Sequence, residues 1–475
     1  MNYESINVGI LSTHTIRFIL NGDFISANGS IYTGKQKAKY KEGKVFFNDE
    51  LLDEIIFKPV TENDSFDLIN VVIGINFHWE RKENQRFKGA LKFIVEDKNI
   101  TAINVVKVED YLTSVISSEM SATASEELLK AHAVISRSWL LCPLQEVRNK
   151  EQEVRGKEQM NESITGYQLP TTNYQLPITD DRLPTTDYRL PTTDYQLPSN
   201  NIITRWYERD AHTKFDVCAD DHCQRYQGIT KASTPAVETA IKATRGEVLI
   251  YDNKICDARF SKSCGGITES FENCWAPIHI PYLTPIIDNT EAPVGFDIEL
   301  TTEDYAVDWI RKSPAAFCNT TDKKVLSQVL NNYDQETTDF YRWKVEYTQT
   351  ELSELICRKS GIDFGEIIDL IPVKRGESGR IIELRITGTK QTVVVGKELE
   401  IRKWLSESHL YSSAFVADKF DFIDEIPQRF TLTGAGWGHG VGLCQIGAAV
   451  MGEKGYTYKE ILQHYFRGAE LKKIY

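Results

Sequence analysis

A chain of 475 residues, 41% hydrophobic and 26% charged, is long enough for two or three units that each bury a core. Its formal net charge of −13 disfavours nucleic acid and anionic membrane as partners, since both reward basic patches. No run approaches the roughly 20 apolar residues of a bilayer span, and the opening MNYESINVGIL lacks both a basic leader and a sustained apolar stretch, so neither a transmembrane segment nor a signal peptide is predicted. The nine cysteines are an odd number spread over a long chain, which argues against a disulfide scaffold and leaves at least one thiol free or bound to metal.

Residues 1–95 read as a β-rich accessory unit. Short apolar runs at 8–11, 16–20, 68–75 and 91–95 are separated by Asn-Gly and Asp/Lys-rich turns. Asn21-Gly22 between two such runs predicts a hairpin. From residue 104 the pattern changes to a strand over 104–108 and a helix over 109–120, where Leu112, Val115 and Ile116 mark one buried face. A second helix is expected over 125–141, with Thr123 and Glu126 at capping-box spacing.

Residues 145–202 read as an insertion. A charged stretch leads into five near-copies of a seven-residue unit, YQLPTTN, YQLPITD, DRLPTTD, YRLPTTD and YQLPSNN. A proline in every unit forbids a continuous helix and denies ladder hydrogen bonds, so a disordered surface loop is expected. Beyond it, Thr234-Pro235 opens a helix ending near Gly246, and Asp252-Asn253 joins the strands 247–251 and 255–261 as a hairpin. Residues 285–425 are mixed α and β. The chain closes with a glycine-rich loop over 434–442, a helix over 445–454 and another opened by Thr457 with Glu460.

Five segments, VEDYLTSVISSEM (108–120), AHAVISRSWLL (131–141), FDVCADDHCQRYQG (215–228), ARFSKSCGG (258–266) and GAGWGHGVGLCQIGAAVMGEKGYTYKEILQHYF (434–466), resemble in family order the SpoIID/LytB family, the stage II sporulation protein D and amidase-enhancer proteins. ELEIRKWLSESHLYSSAF in between is similar as well, so the resemblance covers roughly residues 100–475 without the repeats. It implies an α+β fold: a mixed catalytic core in the pieces 96–144, 203–285, 286–425 and 426–475, carrying the N-terminal unit and interrupted by the insertion. It also implies peptidoglycan glycan strands as substrate, a bacterial envelope location that the opening residues do not announce, and one of two activities. One is a lytic transglycosylase leaving 1,6-anhydro ends on strands stripped of stem peptides. The other is a non-catalytic glycan binder that enhances a cell-wall amidase.

Glu119 matches the family's catalytic glutamate. Lytic cleavage needs one carboxyl that protonates the glycosidic oxygen and then takes a proton back, while the sugar's own 6-hydroxyl attacks; no second carboxylate is required. By position alone, Glu119 is an ordinary glutamate near a helix end. His212, Cys218 and Cys223 resemble the family's zinc ligands, with His222 as an alternative; a 218–223 disulfide or plain buried thiols compete with that reading. Candidate substrate contacts are Tyr111, Arg137, Ser261, Ser263, His439 and Gln445. Tyr111 is equally suited to packing and His439 to a structural role, whereas Arg137 and Lys262 are candidate partners of a lactyl carboxylate. Glu109 and Asp110 suit the start of their helix. Cys444 departs from the family's serine.

Overall fold

The alternation of apolar and polar residues through the first hundred positions builds one large antiparallel sheet with an aromatic interior. In the computed structural model, residues 5–74, 81–121, 124–164, 202–205, 212–220, 222–230, 233–329 and 339–475 are described, with side chains of the helix at 126–164 described only as far as residue 145. The seven-residue repeats and Thr123 lie outside this set. The fold is α+β.

Among the described residues, eleven strands form the large sheet. Its strands run in the order Val217–Cys218, Ser5–Thr13, Asn99–Lys107, Ala90–Glu96, Glu54–Pro59, Thr15–Ser26, Ile31–Lys41, Lys44–Phe47 and Glu50–Leu52, with Ser65–Ile73 and Arg81–Lys88 branching from Thr15–Ser26. Phe18, Phe47, Phe57 and Phe93 meet inside it, with ring centroids 5.1 Å apart for Phe18 and Phe93 and for Phe47 and Phe57. The expected hairpin at Asn21-Gly22 is instead a bulge within the single strand Thr15–Ser26. Residues 18–21 pair with Ser65–Ile73, and from Phe24 the same strand pairs with Glu54–Pro59. Gly22, at φ +114°, makes the switch possible, because a Cβ there would lie 2.2 Å from an Asp64 carboxylate oxygen.

The strand Asn99–Lys107 runs directly into helix α1 (Val108–Glu119), followed by helix α2 (Glu126–Ile164). Leu112, Val115 and Ile116 are fully buried, as the spacing predicts. Helix α2 does not stop near residue 141 but continues to Ile164 with Pro143 inside it. The Gln/Glu/Lys/Arg-rich sequence after the proline consists of strong helix formers. At its start Ser125 provides the cap, its hydroxyl accepting from Leu128 N–H at 3.3 Å. Helix α3 (Pro235–Ala243) is opened by Thr234 as expected, and Asp252-Asn253, both at positive φ, turn the chain between Glu247–Tyr251 and Lys254–Ile255.

One continuous apolar core runs from Ile6 in the first strand to Phe466 just after the last helix, so the N-terminal sheet and the helices share an interior. A second core lies under the strands between residues 342 and 435, around Trp343, Phe364, Trp404 and Phe430.

Candidate functional site

An aromatic ladder carries the N-terminal sheet into the helices and fixes the loop that follows. Phe66 stacks on Phe87, Phe87 lies 5.8 Å from Tyr226, and Tyr226 stacks on Tyr111 of α1 at 5.0 Å. The buried Tyr226 hydroxyl donates to the Asn104 side chain at 2.6 Å. With Tyr226 anchored, residues 224–227 lie along α1: Gln227 N–H donates to Ser114 at 3.2 Å, and Arg225 N–H donates to Glu119 Oε1 at 3.3 Å. Glu119, half-buried at the end of α1, is thereby held against the loop bearing Cys218 and Cys223.

In that loop His212, Cys218, His222 and Cys223 bring their donor atoms within 4.8 Å of one another. The two candidate histidines therefore join one group rather than competing for a place. No disulfide joins any of the nine cysteines. Cys223 Sγ accepts from Cys218 N–H at 3.4 Å and lies 3.5 Å from His222 Nδ1. Hydrogen bonding, from Cys223 first and then from His212 and His222, lowers the Cys218 thiol far below its usual range against the opposing effect of burial. His212 Nε2 is buried with no hydrogen-bond partner. An orphaned imidazole nitrogen beside two thiols and a second imidazole is a donor set that fits a zinc ion.

Contacts continue from Glu119 toward the glycine loop. Ser121 N–H donates to Gln328 O at 2.9 Å, the next residue's carbonyl, that of Val329, accepts from Lys262 Nζ at 2.6 Å, and Ser263 and Trp437 exchange backbone hydrogen bonds at 2.8 and 3.1 Å. Ser261 and Ser263 are buried, and neither hydroxyl has a partner. Glycines 436, 438, 440 and 442 all take positive φ, and a Cβ on Gly442 would sit 2.1 Å from the Arg259 carbonyl. His439 is half-buried; its Nδ1 accepts from Val441 N–H at 3.0 Å and its ring meets Trp275 edge-on. Burial, helped by Arg259 and Arg380, pushes the His439 imidazole well below its ordinary value and keeps it neutral. Trp437 and Tyr411 are both half-buried, their rings 4.6 Å apart beside this loop.

The remaining sequence-predicted contacts point inward. Tyr111 is fully buried, with its hydroxyl 3.4 Å from Gln224. Arg137 is fully buried and grips Glu109 through Nε and Nη2 at 3.0 and 2.7 Å, while Nη1 donates to the Glu247 carbonyl. Gln445 is buried with its amide 3.0 Å from His132 Nε2. His132, Tyr226 and Arg225 were not singled out by sequence. Their spacing is that of ordinary core or loop residues, and only the fold sets His132 against Gln445 and the Arg225 backbone against Glu119. Glu269 also escaped notice; it is buried, and its carboxylate accepts from Ser270, Asn273 and Ser378.

Comparison with known proteins divides the chain in two. Residues 96–176 and 195–251 match the stage II sporulation protein family, and residues 269–442 match a domain family of unknown function. An uncharacterized protein of Brachyspira hyodysenteriae is 24% identical over 99% of this chain and 85% of its own length. The amidase enhancer of Bacillus subtilis is 25% identical over 49% of this chain and 32% of its own. Stage II sporulation protein D of Bacillus amyloliquefaciens is 24% identical over 50% of this chain and 51% of its own. The chain thus spans a third to a half of the length of these two Bacillus relatives. Glu119 and all four members of the His/Cys group lie inside the sporulation-family match.

Proposed function

Because the chain belongs to the SpoIID/LytB family, we propose that it acts on the glycan strands of bacterial peptidoglycan, as a lytic transglycosylase with Glu119 as its single acid/base. The observation that carries this reading is the hydrogen bond from Arg225 N–H to Glu119 Oε1, which holds a half-buried carboxyl beside the thiol- and imidazole-bearing loop. A lone carboxyl suffices for this chemistry. It gives its proton to the glycosidic oxygen as the bond to the leaving sugar breaks; the 6-hydroxyl of the N-acetylmuramic acid then closes on the anomeric carbon, and its proton returns to the same carboxylate. One donor seated on Oε1 leaves Oε2 as the oxygen for proton transfer.

His212, Cys218, His222 and Cys223 would hold a zinc ion through two imidazoles and two thiolates, with no ligand position left for chemistry. So held, the loop would be braced, and it orients Glu119 through Arg225 N–H. The half-buried rings of Trp437 and Tyr411 border the glycine loop and would offer apolar contact to a sugar. An extracytoplasmic location follows from the substrate. Among the described residues no helix is long and apolar enough to cross a membrane.

The similarity to an amidase enhancer favours a second reading, in which the protein grips glycan and assists a cell-wall amidase without cutting. Product analysis separates the two. Incubation with glycan strands free of stem peptides, followed by mass spectrometry, is expected to yield 1,6-anhydro ends. Reducing ends would point to hydrolysis, and strand binding with no product to the enhancer reading.

A further inference from the structure

A second group of potential metal ligands lies elsewhere in the core. Cys264, Asp288, Cys318 and Cys444 come from four separate segments, yet their donor atoms lie within 4.8 Å of one another. All four are at most 2% exposed. We infer that these residues form a structural zinc site, distinct from the His212/Cys218/His222/Cys223 group, that ties the Ser261–Gly266 loop to the end of the glycine loop.

Geometry supports a metal over a thiol pair. Zinc–sulfur bonds of about 2.3 Å place two thiolates of a tetrahedron roughly 3.8 Å apart. Cys264 Sγ and Cys318 Sγ are 3.6 Å apart, close to that edge and far from a covalent S–S bond. A dithiol switch needs two cysteines; here a third thiol and a carboxylate converge on the same point.

The surroundings hold the donors as metal ligands are held. Asp288 Oδ1 accepts from the Tyr465 hydroxyl at 2.6 Å, and Oδ2 accepts from Cys318 N–H at 2.9 Å, so each oxygen keeps a lone pair for a metal. Cys444 Sγ accepts from Cys264 N–H at 3.3 Å. Gly447 leaves the room this needs, since a Cβ there would lie 2.2 Å from the Tyr465 hydroxyl and 2.6 Å from Asp288 Oδ1. Arg342 and Arg380 donate to the carbonyls of Gly265 and Cys264 at 3.1 and 3.0 Å, and their positive charge offsets the excess negative charge of three thiolates and a carboxylate around a divalent ion. With four protein ligands and no access for water, the site is closed and structural.

Zinc content per chain tests the inference on the full-length protein. A C218A/C223A variant, which disables the His212/Cys218/His222/Cys223 group, is expected to retain one equivalent of zinc and to lose it when C318S is added. Folding of each sample is checked by circular dichroism. A folded C218A/C223A protein without zinc overturns the inference, as does a native Cys264–Cys318 disulfide found by peptide mapping. Should C218A/C223A fail to fold, C318S in the otherwise unaltered chain must lower the zinc content by one equivalent; unchanged content again overturns it. Cobalt substitution of the C218A/C223A variant gives an independent signature: tetrahedral visible bands with charge-transfer absorption from three thiolates support the site, and an octahedral spectrum contradicts it.

Discussion

Several single side chains are held where water cannot reach them, and their ionisation sets how stability responds to pH. Burial raises the Glu269 carboxyl to about 7 although hydrogen bonds from Ser378 and Asn273 pull the other way. Between the unfolded value of 4.5 and about 7 the folded chain binds the extra proton, so the contribution of this group to stability falls as pH rises through that window. His132 behaves oppositely. Burial lowers its imidazole to about 3, so its contribution is lost as pH falls from 6.5 toward 3. Urea midpoints across pH are expected to fall less steeply between 4.5 and about 7 in E269Q than in the parent; an identical slope would contradict the assignment. Arg137 is a different case, a fully buried cation whose one carboxylate partner is Glu109. R137M takes the cation from Glu109, which keeps only the Tyr475 hydroxyl as a donor, and the Nη1 donor from the Glu247 carbonyl, and is expected to cost about 3 kcal/mol in chemical denaturation. A loss under about 1 kcal/mol would show that the ion pair is dispensable. None of these environments was legible in the sequence, because burial of Arg137, His132 and Glu269 arises from partners about 28, 313 and 109 residues away.

Elements were legible where the signal is local. The apolar face of α1, the turn at Asp252-Asn253 and the capping box of Thr457 with Glu460 are all present, since each depends on residues within one or two turns of one another. Thr457→Ala is accordingly expected to lower stability by about 1 kcal/mol, read from the thermal midpoint, and no change would mean that tertiary packing alone fixes this helix. Where tertiary structure decides, local reading misled. Asn21-Gly22 has hairpin chemistry, but the strand continues because both of its halves find partners. The glycine loop was visible as a composition, whereas the reason for each glycine was not: Gly434 is needed because the Trp343 ring lies 2.1 Å from where a Cβ would be. Gly434→Ala forces that ring to shift, and a destabilisation of about 2 kcal/mol is expected in urea unfolding; a neutral effect would show that the ring has room to move.

Across the whole molecule, five motif segments spread over more than three hundred residues pack in two groups, 131–141 and 215–228 against α1, and 258–266 against the glycine loop. Family order made that gathering predictable in outline. It could not reveal that the N-terminal sheet shares the core, or that Phe87, Tyr226 and Tyr111 pass its rigidity to the loop beside Glu119. Nor could any spacing in the chain announce the meeting of Cys264, Asp288, Cys318 and Cys444. In the proposed reaction one carboxyl acts alone, and the most direct test compares the parent with E119Q on peptide-free glycan strands, counting anhydro-sugar ends over time. E119Q, folded and still binding strands, is expected to be slower by at least about 100-fold. Equal rates in the two proteins would contradict it.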